Sequence, residues 1–74
     1  MLDAWLQSVV LLQIGPSLCA GVVIDPAGTV ATAYHCVATG LRPNVTFRSG
    51  ESRPGKVIAR DPAHDLALLT VDLP

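Results

Sequence analysis

Seventy-four residues make at most one small domain, and a chain of that size buries only about 60–65% of its unfolded surface. Half of the residues are hydrophobic and only 15% are charged, so some apolar surface is expected to face a partner or further sequence. The formal net charge of −1, five basic against six acidic residues, excludes the basic footprint of a nucleic-acid binder.

The uncharged run over residues 4–24 is long enough on length alone to span a membrane. Gly15-Pro16 breaks it, and its flanks are Asp3 and Asp25, with no Lys or Arg before Arg42. A membrane is therefore not the expected partner, and the missing basic start disfavours a secretory leader. Residues 8–14 are β-branched and apolar and end at Gly15-Pro16-Ser17, which predicts a strand and a turn. Residues 18–24 are a continuous small and apolar run, as expected of a strand buried on both faces. Asp25-Pro26-Ala27-Gly28 has the composition of a type I turn, so residues 29–33 return as the partner strand.

Val37-Ala38-Thr39-Gly40 predicts one helical turn closed by glycine. Residues 44–48 alternate, with Val45 and Phe47 on one face and Thr46 and Arg48 on the other. Asn44-Val45-Thr46 fits a glycosylation sequon, a triplet common by chance, and carries no weight here. Residues 49–55 form a loop, 56–60 a strand, 61–65 a second loop and 66–71 the last strand. Six short strands with tight turns predict an all-β, small antiparallel barrel. Its closure would bring residues 66–71 near residues 18–33.

Cys19 and Cys36 lie 17 positions apart and form no C-x-x-C motif. A Cys₂His₂ zinc site is awkward, because adjacent His35 and Cys36 would both have to reach one tetrahedral ion. A disulfide suits an oxidising compartment, and two buried thiols suit a reducing one. Closing such a loop would stabilise the fold by about 3 kcal/mol.

His35 follows one expected strand, and Asp65 precedes another 30 positions later. A neutral imidazole can take a proton from a nucleophile and return it to a leaving group near neutral pH. It needs a carboxylate on its other nitrogen to fix the tautomer and stabilise the imidazolium. Taken singly, such a histidine is more often a satisfied polar residue, and such an aspartate is usually loop chemistry. His64, beside Asp65, is the rival base, although adjacent residues tend to point apart.

Together these residues carry a specific resemblance. "TAYHC" resembles the histidine motif of trypsin-like (chymotrypsin-fold) serine proteases. "CAGVVID" followed by "GTVATAYHC" is similar to that family's cysteine-to-cysteine hairpin, and "ARDPAHDLALL" to its aspartate segment. The resemblance covers about residues 8–71 and implies the first of the family's two barrels within residues 1–74. It implies His35 as general base, Asp65 as its orienting carboxylate, a Cys19–Cys36 disulfide, a polypeptide substrate and no cofactor. The His35-to-Asp65 spacing looks like the compact HtrA/Deg branch, and the cysteines look like the digestive branch.

Two departures stand out. Tyr34 occupies a position that is often alanine. The family's chain order is His, Asp, then Ser, yet Ser8, Ser17, Ser49 and Ser52 have no Gly-x-Ser-x-Gly context. The nucleophile, the oxyanion hole and a docking C-terminal barrel are therefore expected outside this chain, which alone would be inactive. A secreted or periplasmic location is expected from the family and the cysteine pair. Two other classes of function compete: a half-barrel scaffold without catalysis, and a small membrane-anchored protein using residues 4–24.

Overall fold

In the computed structural model, which describes residues 9–40 and 42–73, seven antiparallel strands form one curled sheet. The strands are β1 (Val9–Ile14), β2 (Ser17–Val23), β3 (Thr29–Thr32), β4 (Asn44–Thr46), β5 (Ser52–Pro54), β6 (Lys56–Asp61) and β7 (Leu66–Thr70). Their spatial order is β5-β4-β1-β2-β3-β7-β6. A one-turn helix, α1 (Tyr34–Val37), follows β3, and a 3₁₀ turn (Pro62–His64) joins β6 to β7.

Strict alternation in β1 turns Val10, Leu12 and Ile14 into the core and leaves Val9, Leu11 and Gln13 outside. Leu12 stands opposite Cys19 on β2 and Val45 on β4, so β1 anchors both neighbours. Val30, Val37, Val45, Ala67, Leu69 and Val71 complete the buried cluster. The β1–β2 hairpin closes through Gly15, whose φ of 57° suits a two-residue connection.

Asp25 builds the β2–β3 turn as its composition predicts. Its Oδ1 accepts the N–H groups of Ala27 (3.0 Å) and Thr29 (3.1 Å). Gly28 sits at φ 96°, and a Cβ there would run into the Val71 carbonyl. That close approach exists because Val71 N–H donates to Gly28 O at 2.9 Å, which ties the end of β7 to the turn.

Three expectations are corrected. The strand count is seven among the described residues, because Ser52–Pro54, expected as loop, pairs with β4. Pro54 is tolerated there because β5 lies at the sheet edge. β2 is not buried on both faces: Gly21 is buried, whereas Leu18 is 60% exposed. The helical turn begins at Tyr34 rather than Val37 and so includes His35 and Cys36, although glycine does close the segment, at φ 76° in Gly40.

The sheet's two edge strands are separated only by Gly55, whose N–H donates to Pro43 O at 2.9 Å. The chain itself thus completes the curl of the half-barrel. Within residues 4–24, Val9–Ile14 and Ser17–Val23 are strands, and residues 4–8 lie outside the described residues. Among the described residues, no helix is long and apolar enough to cross a membrane.

Candidate active site

Strand pairing delivers the two polar residues to one edge. In the β3–β7 ladder Thr32 stands opposite Ala67, so the chain just after β3 meets the chain just before β7. The contact continues past the strands, where Tyr34 N–H donates to Asp65 O at 3.0 Å. The expected long-range closure is what the sheet does.

The carboxylate of Asp65 then grips His35 at two points. Its Oδ1 accepts the His35 backbone N–H at 2.8 Å, and its Oδ2 lies 2.7 Å from His35 Nδ1. The first N–H groups of a helix lack internal partners, and the N-cap of α1 is Ala33, whose side chain offers no acceptor. Asp65 therefore caps a helix 30 residues away and orients the imidazole with the same carboxylate. Both side chains remain accessible, at 72% for His35 and 50% for Asp65. With Nδ1–H donated to Asp65, the Nε2 lone pair is the one left to accept a proton.

Asp65 has φ 54° and ψ 44°, making it the one non-glycine residue at positive φ among the described residues. Aspartate tolerates that left-handed geometry better than most side chains. The preceding 3₁₀ turn presents it: Pro62 opens the turn, and Asp65 N–H donates to Pro62 O at 3.2 Å. Asp61 Oδ1 accepts His64 N–H at 3.3 Å, and its Oδ2 lies 2.8 Å from His64 Nδ1. This second histidine–aspartate pair was not visible as a pair in the sequence; the signal was the cap spacing of Asp61-Pro62 before His64. Its contact lies within one turn of chain, whereas the His35–Asp65 contact joins distant segments.

Cys19 and Cys36 form a disulfide with Cα atoms 6.3 Å apart. It fastens α1 to β2. Ser52 Oγ is engaged with Thr46 Oγ1 at 2.9 Å, and Ser49 Oγ accepts Glu51 N–H at 3.4 Å.

The His35 ring, and then its backbone N–H, hold the Asp65 carboxyl below the ordinary 3.8. Hydrogen bonds to Thr29 lower Asp25 in the same way. A folded-state value below the unfolded one stabilises the fold above the ordinary value, and this contribution is lost as pH falls through the folded value. The melting temperature is accordingly expected to fall on acidification from about pH 5 to pH 2. Asp25→Asn and Asp65→Asn should each flatten that decline in a calorimetric series. A wild-type slope in both variants would remove these carboxylates as its cause.

A family model described as a trypsin-like peptidase domain matches residues 19–74. A probable periplasmic serine endoprotease, DegP-like, from Rickettsia conorii is 34% identical over 53 residues, covering 72% of this chain and 10% of that protein. The solved structure of an HtrA-type protease, AlgW with tripeptide, superposes with a TM-score of 0.90 at 28% identity, covering 97% of this chain and 25% of that one. The chain thus spans about a tenth and a quarter of these relatives' lengths. The half-barrel and the match over residues 19–74 agree: the chain belongs to the trypsin-like peptidase family, and the two relatives it resembles are of the DegP-like and HtrA types.

Proposed function

We propose that this half-barrel, residues 1–74, supplies the general base and its orienting carboxylate to a serine endopeptidase whose nucleophile lies in a further segment. The observation that carries the reading is the two-point contact between Asp65 and His35, made across 30 residues of sequence. In this role Asp65 accepts a hydrogen bond from Nδ1–H, which keeps its proton, and leaves Nε2 to draw the proton from a serine hydroxyl as it attacks a peptide carbonyl. The imidazolium so formed is stabilised by the same carboxylate and returns its proton to the departing amine. Water, activated by His35 in turn, releases the acyl group. Cys19–Cys36 is the brace that keeps the base in place, and no cofactor enters the chemistry.

Support for a docked C-terminal barrel comes from the surface. Leu66, directly after Asp65, is 55% exposed, and Ile24 and Ile58 are similarly open. That apolar surface is what a covering barrel would remove from water. A secreted or periplasmic location agrees with the disulfide and with the periplasmic relative.

The test is labelling with a fluorophosphonate. The 74-residue chain should take up none, and a longer polypeptide extended through the gene should be labelled at a serine beyond residue 74. Stoichiometric labelling of Ser17, Ser49 or Ser52 would overturn the assignment. A folded, unlabelled extended product would favour a scaffold without catalysis.

A further inference from the structure

Asp65 is held from two sides, and only one of them is the histidine it orients. On the α1 side its carbonyl accepts Tyr34 N–H at 3.0 Å, and its carboxylate makes both His35 contacts. On the other side it is anchored to the 3₁₀ turn, its N–H donating to Pro62 O at 3.2 Å. A left-handed aspartate persists where its surroundings over-determine it. Whatever fixes that turn therefore fixes where the carboxylate of Asp65 stands.

The turn starts at Asp61, the last residue of β6, which stands opposite Leu66 in the β6–β7 ladder. Its cap to His64 N–H is long, at 3.3 Å against a usual range of about 2.7–3.2 Å. The short contact is to the ring, at 2.8 Å between Asp61 Oδ2 and His64 Nδ1. A carboxylate capping through Oδ1 alone could swing about its Cβ–Cγ bond, and the ring contact stops that. Asp65 treats His35 in the same way, with one oxygen on the backbone N–H and the other on Nδ1. The Asp61–His64 pair nevertheless stands in water, with His64 75% exposed, where an ion pair adds little to overall stability. What it can set is local geometry.

We propose that Asp61 and His64 are positioning residues for the His35–Asp65 pair. The His64 ring locks the Asp61 cap, and the capped turn holds Asp65 in the left-handed geometry that aims its carboxylate at His35 Nδ1. This role rests on the reading of His35 as general base and asks no proton transfer of the second pair. Position 64 then needs a donor at the reach of Nδ1, and position 61 needs a short side chain that carries an oxygen.

The test reads the His35 tautomer from side-chain nitrogen-15 shifts in the folded 74-residue chain, beside its melting temperature. The wild-type ring should hold its proton on Nδ1. His64→Ala and His64→Gln should move it toward the mixture of a free imidazole, because glutamine places its amide one bond further out. His64→Asn should restore the Nδ1–H form, since asparagine carries an NH₂ where histidine has Nδ1. Asp61→Ala should match His64→Ala, and the double variant should go no further than either, as expected of one path. Asp61→Asn should keep the form, because asparagine also caps and the exposed His64 ring is free to change tautomer. In a longer polypeptide that carries the nucleophile, His64→Ala should lower kcat about tenfold at unchanged KM, with His64→Asn close to wild type. A wild-type His35 tautomer in folded His64→Ala and Asp61→Ala, even with a lowered melting temperature, would make the pair structural only and overturn the role. Equal recovery by asparagine and glutamine would overturn it too. Either result leaves the general base untouched, since that reading is tested separately by turnover in Asp65→Asn.

Discussion

Asp65→Asn, in a longer polypeptide that carries the nucleophile, is expected to lower kcat by about 10⁴. That factor corresponds to about 5.5 kcal/mol of transition-state stabilisation. The amide keeps an oxygen that can still accept the His35 backbone N–H, now 2.8 Å from Oδ1, so α1 stays capped. Its NH₂ group, however, replaces the oxygen now 2.7 Å from His35 Nδ1. An NH₂ group needs an acceptor, so the ring is driven to carry its proton on Nε2, where it can no longer serve as a base. Asp65→Ala removes both contacts and should also lower the melting temperature through the lost cap. The tautomer can be read directly from histidine nitrogen-15 shifts in the 74-residue chain. An unchanged tautomer in Asp65→Asn, or full turnover in either variant, would detach Asp65 from its role.

The second large effect concerns the disulfide. Replacing Cys19 and Cys36 by serine is expected to cost about 3 kcal/mol, because the closed loop spans 17 residues. For a domain of this size each kcal/mol moves the melting temperature by about 4–8 °C, so a loss of about 12–24 °C is expected. Few other constraints hold α1. It is one turn long, its N-cap side chain makes no hydrogen bond, and Val37 is its one buried residue. Cys36 fastens it to β2, and Asp65 fastens it to the start of β7. A reductant should reproduce the serine variant's shift in the wild-type chain. A change below about 3 °C in both would mean that packing alone holds the turn, contrary to the chain-entropy expectation.

Local chemistry was legible from the residues alone. Asp25-Pro26-Ala27-Gly28 folds into the turn its composition demands, because aspartate capping and glycine's free φ act within four residues. The alternation of β4, with Val45 buried and Thr46 half-exposed, follows the two-residue pleat in the same way. The resemblance in "TAYHC" and "HDLALL" singled out His35 and Asp65 before any geometry was known.

Tertiary structure decided the rest. Ser52–Pro54 has no strand pattern of its own and becomes β5 only because β4 offers a ladder at the sheet edge. β2 looks buried throughout because its residues are apolar, yet the curl of a single sheet covers one face and leaves Leu18 in solvent. The one-turn helix starts at Tyr34 because the backbone carbonyl and the carboxylate of residue 65 accept its first two N–H groups, partners no local window contains. Turns and alternation are set by neighbours a few bonds away, so the sequence alone determines them. Strand edges, sheet curvature and the meeting of His35 with Asp65 depend on which distant segments pair, and that is settled only when the whole sheet finds its register.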